Sequence, residues 1–336
     1  LLQDTSFDDT SAWSLRRGAF IDESTGELLL SKGAIADGAF AQQTFRLGSY
    51  DEIGPLALDL TMQYEDCGEQ FCNRTFTRPA VLIDNRRQQV EFSPYPSTGE
   101  LATTSMCLGK AAYGGERSLT LLSGASAISR SSSRFNELSP WRISDLQFRR
   151  AEPDECPSPG VIDNGDFEQP TDAPWSFVTE SSNTTNRIVT RDDSRALQLG
   201  GTECSSARAT NLISIPDEPG TAISVEAEIT GSSWLDIYTD SAGLRHYVVE
   251  QPDAPVTVCV PPAILGTVQR LSFRVENNGG VCANPIDDVF VDNIRFTTDA
   301  RCNSDQFITG GNFDASPFRG DWELRGTEPN GVTFAT

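Results

Sequence analysis

The chain has 336 residues, enough for two ordinary domains and a remainder. A hydrophobic share of 38% with 27 Gly and 19 Pro reads as a strand-rich chain with many turns. With 26 Lys+Arg against 48 Asp+Glu the net charge is −22, which sets aside nucleic acid and anionic membrane surfaces as partners, and no apolar run is long enough for membrane insertion.

In chain order, alternating strand candidates run over residues 26–30, 56–62, 80–83, 118–122 and 141–148, then over 196–199, 223–229, 234–238, 247–249, 256–260, 270–275 and 290–296. Leu56, Leu58, Leu60 and Met62 share one face of their strand, with Ala57, Asp59 and Thr61 on the other. No amphipathic helix stands out. The acidic, Pro-rich stretch over residues 151–159 reads as a stiff linker.

Two stretches repeat. Phe7-Asp8 with Trp13, Asn164-Gly165-Asp166-Phe167-Glu168 with Trp175, and Gly311-Asn312-Phe313-Asp314 with Trp322 open three copies. The closing strands Trp141 to Phe148 and Phe290 to Phe296 match when Asp145 is set on Asp292. A period that long is a whole domain, so the expected domains are 1–150 and 156–298, with 302–336 holding the first strands of an incomplete third. That last piece is too short to bury a core alone; it is expected to be a truncated copy, or else a strand donated to a neighbour. The chain begins without Met, and a leader or upstream domains are expected to have been removed. The repeated Trp13, Trp175 and Trp322 read as core plugs.

Eight cysteines, an even count among short strands, point to disulfides and an oxidising compartment, hence an extracellular or cell-surface setting. Cys107 and Cys259 lie on matching strands, and Cys156 and Cys302 in matching linkers. If the copies share a bond, Cys107–Cys156 and Cys259–Cys302 are one equivalent pair, leaving Cys67 with Cys72 and Cys204 with Cys282; other connectivities stay open. The single histidine, His246, and the absence of Cys-x-x-Cys argue against zinc. No nucleophile elbow, P-loop or dinucleotide fingerprint is present, so no enzymatic activity is expected.

The pattern Asn164-Gly165-Asp166-Phe167-Glu168 with Trp175, closed by Val291-Asp292-Asn293-Ile294-Arg295-Phe296, resembles carbohydrate-binding modules of the galactose-binding-like jelly-roll superfamily, most of all the group holding families 4, 9 and 22. The resemblance implies all-β architecture: antiparallel jelly-roll β-sandwiches in tandem, first and last strands side by side. It further implies a structural Ca2+ in the second copy, with carboxylates from Glu168 and Asp292 and backbone oxygens near Asn164 or Asp166; Asp8 and Asp145 are the matching positions of the first copy. Calcium's demand for hard oxygens fits such residues, and turn capping is the other reading.

Sugar contacts are sought among aromatics that differ between copies. In Trp234-Leu235-Asp236-Ile237-Tyr238, a core-facing Leu235 and Ile237 would leave two aromatics flanking a carboxylate on the other face, with Arg245 and Tyr247 on the next strand. The opposite reading buries Trp234 and Tyr238. The matching stretch of the first copy, Val81-Leu82-Ile83-Asp84, has no such platform. The expected partners are therefore a glycan, bound adhesively by the second copy, or neighbouring copies of the same chain in a stalk, sheath or filament.

Overall fold

The computed structural model describes residues 5–303 apart from 8, 17–18, 31–38, 65–78, 85, 89–99, 124–140, 180–183, 192, 203–206, 231–232, 240–243, 249 and 278–284. Asp8, Cys67, Cys72, Cys204, Cys282, Trp322 and the incomplete third copy beyond residue 303 lie outside the described residues. The chain forms two compact units, each with ten strands among the described residues.

The first unit holds β1 (Ser14–Arg16), β2 (Ala19–Asp22), β3 (Glu27–Leu30), β4 (Phe40–Leu47), β5 (Leu56–Tyr64), β6 (Pro79–Ile83), β7 (Arg86–Gln88), β8 (Leu101–Cys107), β9 (Gly115–Ser123) and β10 (Trp141–Arg150). A single helical turn, α1 (Tyr50–Ile53), joins β4 to β5. Two five-stranded sheets result, in the orders β1-β4-β9-β6-β7 and β2-β3-β10-β5-β8. Leu58, Leu60 and Met62 of β5 meet Phe45, Val81, Ile83, Leu119 and Leu121 of the other sheet in one buried core. The alternation read from Leu56 to Met62 is the inner face of β5.

The second unit repeats this strand for strand: β11 (Ser176–Thr179), β12 (Thr184–Arg191), β13 (Ser194–Thr202), β14 (Ala207–Ser214), β15 (Thr221–Ile229), β16 (Ser233–Thr239), β17 (Arg245–Val248), β18 (Val256–Cys259), β19 (Val268–Asn277) and β20 (Pro285–Thr298). Its sheets run β11-β14-β19-β16-β17 and β12-β13-β20-β15-β18, each strand ten places on from its counterpart. In both units the chain crosses from sheet to sheet at every step except from the second strand to the third and from the sixth to the seventh, a jelly-roll path. The chain is thus two antiparallel jelly-roll β-sandwiches in tandem.

The repeated opening motif is a core device. Phe7 and Phe167 both take positive φ, 58° and 55°, and both are buried. Each turns its ring onto the following tryptophan, at 5.1 Å from Trp13 and 5.2 Å from Trp175. The tryptophans are buried, as core plugs should be. The opening segment lies against the closing strand through one backbone bond, Leu146 N–H to Thr5 O in the first unit and Ile294 N–H to Gly165 O in the second. A Cβ on Gly165 would stand 2.1 Å from the Ile294 oxygen, so this approach requires glycine. The first strands themselves, β1 and β11, sit in the opposite sheet beside β4 and β14, not beside the closing strands.

Those two bonds also correct the repeat register. Leu146 and Ile294 differ by 148 (294 − 146), so Ser144, not Asp145, stands where Asp292 does, and Asp145 matches Asn293. A bulge interrupts each closing strand here, between Ile143 and Asp145 against β5 and opposite residues 224–226 of β15. Both strands carry it, so the offset between the copies is the same on either side.

Cys107 and Cys156 are bonded, as are Cys259 and Cys302, the equivalent pair expected from the repeat. Each joins the eighth strand of a sandwich to the segment just past its tenth. In the first unit Arg149 reinforces the staple. Its guanidinium donates from Nη1 and Nη2 to both carboxylate oxygens of Glu155 and from Nε to Asp59 Oδ2 at 2.8 Å, while Ser105 Oγ donates to Asp59 Oδ1 at 2.6 Å. Arg149 in turn holds the Glu155 carboxyl below its ordinary pKa. Residues 151–156 are therefore tied back onto the sandwich they leave. The Cys259–Cys302 bond spans 43 residues, and closing a loop of that order restricts the unfolded chain by about 4 kcal/mol in the chain-entropy view. Serine at both positions is expected to lower the stability of the second sandwich by a similar amount in urea unfolding; an unchanged midpoint would refute that role.

Candidate ligand face of the second sandwich

Strand β16 settles which way its residues point. Leu235 and Ile237 are fully buried toward the core, as are their cross-strand partners Val275 and Phe273 on β19. Trp234, Asp236 and Tyr238 occupy the outer face. Antiparallel register places Tyr247 and Arg274 directly opposite Asp236, and Arg245 and Ser272 opposite Tyr238, so all share that face. Arg208 of β14 reaches over β19 to join them, its Nη1 donating to Tyr238 Oη at 3.5 Å.

Asp236 is the centre. Its side chain is 0% exposed, yet it carries a carboxylate. Arg245 donates to it from Nε at 3.2 Å and Nη2 at 2.8 Å, and Arg274 from Nη2 at 2.9 Å. A charge removed from water survives only with such pairing. The Arg245 guanidinium also lies 5.0 Å from the Tyr247 ring centroid and 5.6 Å from that of Tyr238, and Arg274 lies 5.5 Å from Tyr238, within cation–π range. Tyr238 and Tyr247 are half-buried. Trp234 does not offer a free ring: it is 5% exposed, with Tyr247 against it at 5.6 Å between centroids. The five residues read from the sequence thus stand together, but the indole serves as the floor under Tyr247 and the tyrosines form the surface.

The equivalent strand of the first sandwich, β6, buries Val81 and Ile83 where β16 buries Ile237 and Thr239. Ala80 stands at the Asp236 position, opposite Leu122 of β9 as Asp236 stands opposite Arg274. The platform belongs to the second sandwich.

His246 points the other way from Arg245 and Tyr247 and lies opposite Ile237. Burial pushes its pKa below the ordinary 6.5. The unfolded chain therefore takes up a proton that the folded one resists. Stability is whole above about pH 6.5 and falls as pH drops below that, with a slope no steeper than about 1.4 kcal/mol per pH unit. Substituting His246→Gln is expected to flatten the slope just below pH 6.5 in pH-dependent urea melts, and a persisting slope would assign it elsewhere.

At the opening turn, Asn164 is committed to structure. Its carbonyl accepts from Trp175 Nε1 at 3.0 Å, its Oδ1 from Gln169 N–H at 3.1 Å, and its Nδ2 donates to the carbonyls of Thr171 and Ala173. Glu168 Oε1 accepts from Arg195 N–H at 2.7 Å and Ser194 Oγ at 2.8 Å, bonds that hold its carboxyl below its usual range. Asp292 is pushed upward, first by burial and then by the nearby carboxylates of Glu226, Glu168 and Asp166. Among the described residues no three carboxylate, histidine or cysteine groups come together as a metal cluster.

No family model matches the chain, and no curated protein does. Among solved structures it is similar to a family 61 carbohydrate-binding module in complex with β-1,4-galactotriose (14% identity, 42% of this chain and 100% of that one, TM-score 0.32). It is similar to the tandem of two family 22 modules at the N-terminus of Xyn10C from Paenibacillus barcinonensis (14% identity, 89% and 97% covered, TM-score 0.30). A third likeness is to the family 11 module of a cellulosomal cellulase of Clostridium thermocellum (14% identity, 42% and 96% covered, TM-score 0.30). No helix of the described residues is long and apolar enough to cross a membrane.

Proposed function

We propose that the chain is a non-catalytic part of a secreted or cell-surface protein and that the outer face of sheet β11-β14-β19-β16-β17 recognises a glycan. The observation that carries this reading is the pair of half-buried rings, Tyr238 and Tyr247, set around the Asp236–Arg245–Arg274 cluster. Rings present flat surfaces for the C–H faces of sugars, and the guanidiniums fix orientation beside them. The two disulfides favour an oxidising compartment. A glycan array probed with the parent chain and with Tyr238→Ala tests it: binding lost in the variant supports the face, and a blank array for the parent refutes it.

A second reading, a structural bead of a stalk, sheath or filament that packs against neighbouring copies, draws support from the stapled segment at residues 151–156 and from Ala80 in place of the aspartate. A parent chain that binds no glycan but assembles in light scattering would favour it. Calcium held by the carboxylates of Glu168 and Asp292, with backbone oxygens near Asn164 or Asp166, is a further proposal, which rests on the motif resemblance and on the opening turn lying against the closing strand through the Ile294 N–H to Gly165 O bond. It requires the bonds that Glu168 now makes to give way to the ion. Thermal unfolding with and without excess chelator decides it, and an unmoved transition would dismiss the ion.

A further inference from the structure

We propose that the ligand of this face is an acidic glycan, whose carboxylate or sulfate is taken by the Arg208 guanidinium. This rests on the glycan reading above and names the ligand's class.

Neutral sugars present hydroxyls that both donate and accept, and sites that hold them supply acceptors as well as donors. The one described carboxylate at the centre of this face cannot serve, because Asp236 is fully buried and already accepts from two arginines. What remains around it is chiefly donor. Strand alternation from Ser272 and Arg274 adds Arg270 to the same face. Arg208 differs from its neighbours: no carboxylate among the described residues pairs with it, and its Nε is enclosed without a hydrogen-bond partner. Its bond to Tyr238 Oη is long, at 3.5 Å.

A second orphan lies beside it. Ser272 stands opposite Tyr238 on β19, the strand over which Arg208 passes. Its side chain is 0% exposed, and its Oγ has no partner. Buried polar atoms are ordinarily satisfied, so two unsatisfied ones in adjoining positions mark a place where an acceptor belongs. An anionic oxygen answers both, since a guanidinium fork matches a carboxylate or sulfate and a hydroxyl can donate to the same group. Tyr238 and Tyr247 then carry the sugar ring. A guanidinium cluster of this kind is out of keeping with a chain of net charge −22, whose overall field repels polyanions. The attraction is local to the face.

The full chain is titrated by calorimetry with oligosaccharides of matched length: an oligogalacturonate, its methyl ester, a sulfated oligogalactan and the unsulfated one. The expected result is at least about tenfold tighter binding of one acidic probe than of its neutral counterpart, as a charged hydrogen bond would give, weakening with added salt. The uronate and sulfate arms say which acid is read. Arg208→Gln is expected to abolish the difference, Arg208→Lys to keep part of it, and Arg191→Gln, on β12 and paired with Glu228, to leave it unchanged. Melting temperatures check that each variant is folded. Neutral probes binding as tightly as acidic ones, or a preference that survives in both folded Arg208 variants, overturns the acidic class and leaves the glycan reading standing. Failure of all four probes together with a blank glycan array overturns both.

Discussion

Trp175→Ala is expected to lower the stability of the second sandwich by roughly 3–5 kcal/mol, the usual cost of emptying a large aromatic site. For a unit of this size that is a fall in Tm of about 10–20 °C. Three contacts are lost at once. The indole lies between Phe167 at 5.2 Å and Phe273 at 5.8 Å, so it joins the opening turn to β19. Its Nε1 caps the carbonyl of Asn164, which becomes a buried acceptor with nothing to accept. The turn also holds Phe167 at positive φ, a strained state that persists only while its ring is packed. Trp175→Phe keeps the ring stacking and loses the hydrogen bond, so it is expected to cost less than half as much. Calorimetry on the two variants separates packing from capping. Equal losses would place the whole effect in the hydrogen bond, and no loss would remove the motif from the core.

The sequence made this device visible because its residues are close in the chain and recur. It made the strands of strict alternation visible for the same reason: β5, β16 and β20 put apolar groups at every second position. Strands β4 and β14 escaped. Each places an amide on the core face, Gln43 and Asn211, both 2% exposed. They occupy equivalent places, since Leu15 pairs with Ala41 and Phe177 with Ala209. Asn211 is kept there by donating from Nδ2 to the Asp163 carbonyl. A polar residue at an inward position breaks the period on which sequence reading depends. The candidate site was half legible. Trp234, Asp236, Tyr238, Arg245 and Tyr247 lie on two strands joined by a short loop. Arg274 and Ser272 were on a strand read correctly, with an alternation that already turned them away from Leu271 and Phe273. Nothing in the sequence said that β19 lies beside β16, or that β14 follows on its other side. That knowledge is topological, and with it Arg208 comes into the face. The exposure of Trp234 was likewise unreadable, because Tyr247 covers it from another strand.

Removing the carboxylate at the heart of that face has a comparably large expected effect. Asp236→Ala takes a shared buried acceptor from the Arg245 and Arg274 guanidiniums, whose side chains are 43% and 25% exposed. Breaking a buried pair from one side costs about 3–5 kcal/mol, mostly from the charge left without a partner. If that is the cause, the cost should depend on the arginines and not on the aspartate. The first sandwich supplies the control, because Ala80 and Leu122 hold the positions of Asp236 and Arg274 in the same register. Asp236→Ala with Arg274→Leu should recover more than half of the loss, since Arg245, the more exposed partner, can turn its charge into water. In a double-mutant cycle the two changes should couple by at least about 1 kcal/mol, as contacting residues do. Strictly additive losses would mean that Asp236 matters for its own packing, and that the arginines are held in place by something other than its charge.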